Sequence, residues 1–65
     1  MITREQVIKA MQLINYPKQY ATAIEKQIAL SLRVYKDRGE YCPDNYNQAV
    51  NCLLQAGYEI EGFCV

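Results

Sequence analysis

Residues 17–38 read PKQYATAIEKQIALSLRVYKDR, and nothing after the opening proline interrupts a helix. Pro17 suits the first turn of a helix, where its missing N–H leaves no hydrogen bond unmade. Gly39 stops the run, and Lys36 and Arg38 fall in the last turn, where the helix dipole favours positive charge. The stretch therefore predicts a helix 2 over about residues 17–38, with about six turns and a length of roughly 33 Å.

The apolar side chains of helix 2 cover a wide arc. At 100° per residue they span about 200°, with Leu30 and Val34 extending one edge, which is wider than the stripe of an ordinary surface helix. Two flanking helices about half as long would leave part of this arc in water. Burying a large apolar side chain is worth about 1.5–3 kcal/mol, so the uncovered part needs a partner. The arc therefore predicts a homodimer or higher oligomer with helix 2 at the interface.

A shorter helix precedes this stretch. Thr3 followed by Gln6 is a capping-box pattern, in which each residue bonds to the backbone of the other. It predicts a helix 1 over about residues 4–14. Apolar residues recur there at helical spacing and form one face: Val7, Ala10, Met11 and Ile14.

Another short helix and an extended tail follow. Asp44 is suited to open a helix 3 over about residues 44–56, and Gly57 is suited to end it with a left-handed backbone. Residues 57–65 then read GYEIEGFCV, in which residues 58–61 alternate between apolar and acidic side chains as a strand does. The predicted fold is a single all-α domain over residues 1–65: a three-helix bundle with a long central helix 2 and a short extended C-terminal tail over 58–65.

The tail has two possible partners. It either lies along the helices of its own chain, with apolar side chains inward, or pairs with the same tail of a second copy or with a sheet edge of another protein. No other segment of the chain has the pattern of a strand, so an internal backbone partner is not predicted. We prefer docking within the chain, because the acidic tail complements the basic helix 2. The inward side chains would be Tyr58, Ile60 and Phe63.

Composition excludes several classes of function. The chain has no histidine, which removes the usual general base near neutral pH and every histidine metal ligand. Cys42, Cys52 and Cys64 match no Cys-x-x-Cys pattern, so we expect free apolar thiols. Cys52 lies off the apolar stripe of helix 3 and is expected to make contacts outside the core. We predict no enzymatic activity, no metal and no cofactor.

Two further expectations concern location. The 65 residues contain no apolar run of the roughly 18 needed to span a membrane. The opening sequence, MITREQVIKA, lacks the apolar core of a signal peptide, which predicts a cytoplasmic protein without membrane contact.

Charge is distributed unevenly along the chain. Residues 1–38 carry seven basic and three acidic side chains, a net charge of +4, whereas residues 39–65 carry four acidic side chains and no basic one. Such asymmetry marks either a nucleic-acid surface or two parts that complement each other, within one chain or between copies. We favour complementarity, because compact packing brings both parts together.

The favoured function is binding of other protein chains. Six tyrosines are many for this length, and tyrosine is enriched at protein interfaces. Tyr20, Tyr35 and Tyr46 are alternatively core residues where helices 2 and 3 meet. The predicted function is a small non-enzymatic adaptor, inhibitor or regulatory subunit, acting as a homodimer. Its predicted interface residues are Tyr16, Tyr20, Leu30, Val34, Tyr41, Ile60 and Phe63.

The alternative is a small DNA-binding transcriptional regulator. Phosphate neutralisation by Lys and Arg supplies most DNA affinity, and helix 3 contains neither residue, so the basic faces of helices 1 and 2 would have to bind. Glu25 interrupts that face, and a solvated surface of mixed charge is the usual explanation of such a pattern. The nucleic-acid-binding residues would be Arg4, Lys9, Lys18, Lys26, Arg33 and Lys36.

Overall fold

A computed structural model describes residues 1–42 and 44–62 and shows three α-helices. They are α1 (Arg4–Asn15), α2 (Ala23–Asp37) and α3 (Tyr46–Gln55). The described ranges contain no strand beyond one isolated bridge, so the all-α prediction is confirmed. None of these three helices is both long and apolar enough to cross a bilayer.

The first helix begins at the capping box that the sequence indicates. The Oγ1 of Thr3 accepts a hydrogen bond from the N–H of Gln6 at 3.2 Å, and the Oε1 of Gln6 accepts one from the N–H of Thr3 at 2.9 Å. Both N–H groups would otherwise lack an intrahelical partner. The face that α1 buries consists of Val7, Ala10 and Leu13.

The long central helix is not confirmed, because α2 begins at Ala23 rather than at Pro17. Thr22 has an extended backbone and caps the helix: its Oγ1 accepts the N–H of Glu25 at 3.4 Å, while the Oε1 of Glu25 accepts the N–H of Thr22 at 2.9 Å. This second capping box fixes the start of α2 at Ala23. The 15 residues of α2 span roughly 22 Å, and residues 16–22 form a linker.

The third helix is capped by Asn45 instead of Asp44, because the Oδ1 of Asn45 accepts the N–H of Gln48 at 3.1 Å. At its other end Gly57 has a φ of +97°. The N–H of Tyr58 donates to the carbonyl of Leu53, and that of Gly57 to the carbonyl of Leu54. This is a Schellman motif, which the glycine permits at no steric cost.

The core draws on all three helices and on both flanking segments. The largest side chains with less than 2% exposure are Ile28, Leu32, Leu53, Ile60, Val7 and Val50. Cys52 also belongs to this core: it is 5% exposed, and its Sγ donates to the carbonyl of Glu40 at 3.7 Å. The expectation of a contact outside the core is therefore wrong for Cys52, because the backbone of the α2–α3 linker covers that side of α3.

Residues near the two ends of the chain pair with each other. Ile2 forms a parallel bridge with Ile60: its N–H donates to the carbonyl of Glu59 at 2.8 Å, and its carbonyl accepts the N–H of Glu61 at 2.9 Å. The chain thus contains an internal backbone partner for residues 59–61, which the sequence did not indicate. Ile60 is fully buried, and the hydroxyl of Tyr58 lies 3.1 Å from the Oγ of Ser31. Phe63, Cys64 and Val65 lie outside the described residues.

Candidate protein-binding surface

The structure divides the described members of the predicted interface into a buried and an exposed group. Tyr41 and Ile60 are 3% and 0% exposed, so they belong to the core and are not available on the surface of the single chain. Phe63 lies outside the described residues. The exposed members, with exposures between 50% and 88%, are Tyr16, Tyr20, Leu30 and Val34. Tyr20 is therefore not a core residue, whereas Tyr35 and Tyr46 are partly buried against the core.

Tyr41 was expected on the surface because it lies in the turn between helices 2 and 3, where a core role is less natural. Its ring instead joins the buried cluster with residues of all three helices. Burial disfavours the phenolate and, with the nearby carboxylate of Asp44, raises the pKa of Tyr41 to about 12. No local pattern distinguishes this tyrosine from an exposed one, because its burial depends on how α2 and α3 pack.

The exposed side of α2 carries a regular stripe. Ala23, Gln27, Leu30 and Val34 are all exposed, and their spacings of four, three and four residues align them on one face. We call these four residues the outer stripe. The buried Ile28 and Leu32 lie on the side that faces the core. Leu30 and Val34 are 63% and 50% exposed, so the stripe presents two large apolar side chains to solvent one turn apart.

A groove of about 290 Å³ runs beside the outer stripe, between the end of α1 and α2. Leu13, Ile14 and Pro17 line one wall, and Ala29 and Leu30 line the other. Leu30 thus belongs to both the stripe and the groove, and the two form one apolar surface.

The same groove carries positive charge. Lys26 and Arg33 line it, are exposed, and lie two turns apart on α2, roughly 10 Å along its axis. No acidic side chain is among the described residues that line it. We call this feature the basic groove. It combines an apolar surface with two cations on one edge.

Several of the remaining cations have neutral partners. The guanidinium of Arg4 lies 5.4 Å from the ring centre of Tyr46, and that of Arg38 lies 5.7 Å from the ring centre of Tyr35. The Nζ of Lys9 donates to the Oε1 of Gln19 at 2.9 Å. None of these three contacts is with a carboxylate of the acidic half.

A second groove, of about 400 Å³, lies between α1 and α3. It contains Arg4 with the carboxylate of Asp44, and apolar side chains that include Ile8 and Met11. Arg4 therefore lines a different groove from Lys26 and Arg33. Lys9 is hydrogen-bonded to Gln19. The structure does not gather the six predicted nucleic-acid-binding residues into one groove. The other two, Lys18 and Lys36, are exposed.

No group of three or more His, Cys, Asp or Glu side chains in the described residues is arranged to hold a metal ion. Cys42 and Cys52 are free thiols, exposed and buried respectively. Burial and the carboxylate of Glu40 raise the pKa of the Cys52 thiol, which favours the unreactive protonated form.

Comparison of the chain with protein-family models, with curated proteins and with solved structures finds no match in any of the three. Function is therefore inferred from the surface of the chain itself.

Proposed function

We propose that this protein is a small non-enzymatic module that binds other protein chains, as an adaptor, inhibitor or regulatory subunit. The observation that carries the proposal is the apolar surface centred on Leu30, which joins the outer stripe to the basic groove. An exposed apolar patch rimmed by polar side chains is typical of a protein-binding site.

The energetic argument rests on Leu30 and Val34. Full burial of each side chain is worth about 1.5–3 kcal/mol relative to exposure, and the single chain forgoes part of that gain. A partner that covers both residues recovers it. Binding energy at interfaces concentrates in a few such central side chains, with polar residues around them that exclude water.

Two classes of partner are compatible with this surface, a second copy of the chain and a different protein. Self-association follows from the width of the apolar arc in the sequence. It is less strongly supported now that α2 has 15 residues and that Tyr41 and Ile60 are buried in the chain itself.

The proposal is tested by replacing Leu30 and Val34 together with serine. We expect the double variant to lose self-association in sedimentation equilibrium, or to lose a specific protein that the wild-type chain retains. Ile8→Ser is the matched control, because Ile8 is an exposed apolar residue of α1 that lines the groove between α1 and α3, away from the outer stripe. Two results together would refute the proposal: the wild-type chain is monomeric, and it retains the same proteins as the double variant.

Nucleic-acid binding is the second candidate, and Lys26 and Arg33 are the observation that favours it. Two exposed cations without an acidic neighbour in their groove would neutralise phosphates. Binding to duplex DNA would weaken steeply as salt rises. Absence of binding at low salt would eliminate this candidate.

A further inference from the structure

The placement of Lys26 and Arg33 relative to the outer stripe defines the chemistry of the partner. Lys26 directly precedes Gln27, and Arg33 directly precedes Val34. Both cations therefore lie along the same edge of the outer stripe. In heptad terms the stripe occupies the a and d positions, and both cations occupy g. When a second helix packs on such a stripe, its flanking side chains meet these two cations.

A second copy of α2 fits this edge poorly. Antiparallel packing would place each copy's Lys26 and Arg33 beside the same cations of the other copy. Parallel packing would place them beside Ser31 and Arg38, which supply no carboxylate. Asp37, the last residue of α2, is the next position of the stripe. A pair of α2 helices would therefore bring together two Asp37 carboxylates and four cations, Lys26 and Arg33 of each copy. Like charges on facing positions disfavour the contact.

We infer that the basic groove and the outer stripe bind an amphipathic helix of a different protein, whose apolar stripe is flanked by Asp or Glu side chains. The inference rests on the proposed function, that the Leu30 surface binds protein, and deepens it by naming the chemistry of the partner. Apolar residues of that helix pack on Leu30 and Val34. Its carboxylates pair with Lys26 and Arg33, which fixes register and excludes basic competitors.

The apolar walls favour this partner over a nucleic acid. Leu13, Ile14 and Leu30 offer no hydrogen bonds to phosphates or bases, whereas they match the side chains of an amphipathic helix.

Two synthetic peptides test the inference. Both are about 20 residues long, which is enough for measurable helicity, and both carry leucines at a and d. One has glutamates at e and g, and the other has lysines at the same positions. Fluorescence anisotropy of the labelled, monomeric peptides is measured against the full chain at low and moderate salt. We expect the acidic peptide to bind about tenfold more tightly than the basic one, with a preference that shrinks as salt rises.

Charge-reversal variants locate the contact. Lys26→Glu and Arg33→Glu are each expected to weaken the acidic peptide roughly fivefold. Lys36→Glu is the matched control, because it makes the same change at an exposed position of α2 away from the stripe edge. The Lys36→Glu variant should bind the acidic peptide within about twofold of the wild-type affinity. Any remaining change reflects the lower net charge, which all three charge-reversal variants share. Replacing Leu30 and Val34 with serine should weaken both peptides.

Each other outcome has a definite meaning. If both peptides bind equally and both lose affinity in the serine variant, the protein-binding proposal stands and the acidic partner is wrong. If neither peptide binds, the inference is overturned, and the sedimentation and retention experiment decides the proposed function separately. If duplex DNA binds and Lys26→Glu removes that binding while neither peptide binds, the groove is a nucleic-acid site.

Discussion

Folding changes the acid–base chemistry of Tyr41. Its pKa rises to about 12 because the buried ring disfavours the phenolate. A raised pKa in the folded state means that the stabilising effect is complete below the unfolded pKa near 10 and is lost as pH rises towards 12. Alkaline solution should therefore ionise Tyr41 and loosen the fold together.

We expect an absorbance titration to show ionisation of Tyr41 near pH 12, together with loss of helical circular dichroism. Tyr41→Phe should remove the late step, and Tyr20→Phe is the exposed control. Ionisation of Tyr41 near pH 10 with the helices intact would contradict its burial.

Thr22 determines where α2 begins. Its replacement by alanine removes the hydroxyl that accepts the N–H of Glu25, which should lower the free energy of unfolding by about 1 kcal/mol in urea titrations. Thr22→Ser keeps the hydroxyl and should cost much less. If the two variants are equally stable, the capping contact does not stabilise α2.

Acid should weaken the same cap. The N–H of Thr22 donates to the Glu25 carboxylate and lowers the pKa of that residue. A lowered pKa in the folded state gives stability that is present above the unfolded pKa and lost as pH falls through the folded one.

Local patterns determined most of what could be predicted about the helices. The capping box at Thr3 and the glycine at position 57 satisfy backbone groups within a few residues, so sequence alone reveals them. The start of α2 was misplaced because Pro17 and the pair Thr22–Glu25 are both valid helix openings. The capping box also satisfies two N–H groups, and in the structure it is the one used.

The candidate surface was only partly predictable. Leu30 and Val34 follow from an angular count on one helix and are exposed. Tyr41 and Ile60 were assigned to an interface, but residues distant in sequence cover them. The basic groove was missed because Pro17 and Leu13 reach Lys26 and Arg33 only through the packing of α1 on α2.

At the scale of the whole molecule, Ile60 contributes to the stability of the fold. It has no exposed surface and belongs to the core cluster with Ile2. Ile60→Ala should lower the free energy of unfolding by about 2–5 kcal/mol, a large part of the total available to so small a domain. Ile24→Ala, at a 41% exposed site, is the control and should cost far less. Urea unfolding followed by circular dichroism measures both.

The same variant separates two roles for the segment after α3. If this segment completes the core of its own chain, Ile60→Ala lowers the free energy of unfolding. Any loss of association is then explained by the smaller fraction of folded chains. Unchanged stability with abolished association would show instead that it pairs between chains.

The bridge between Ile2 and Ile60 bears on how the protein is made. Residues emerge from the ribosome in order, so Ile2 emerges before all three helices and must wait for them before its partner Ile60 appears. Until then Ile2 and the core beneath it stay open, and a chain stalled after α3 exposes apolar surface to chaperones and proteases. Folding of this protein should therefore complete only after synthesis has passed Ile60.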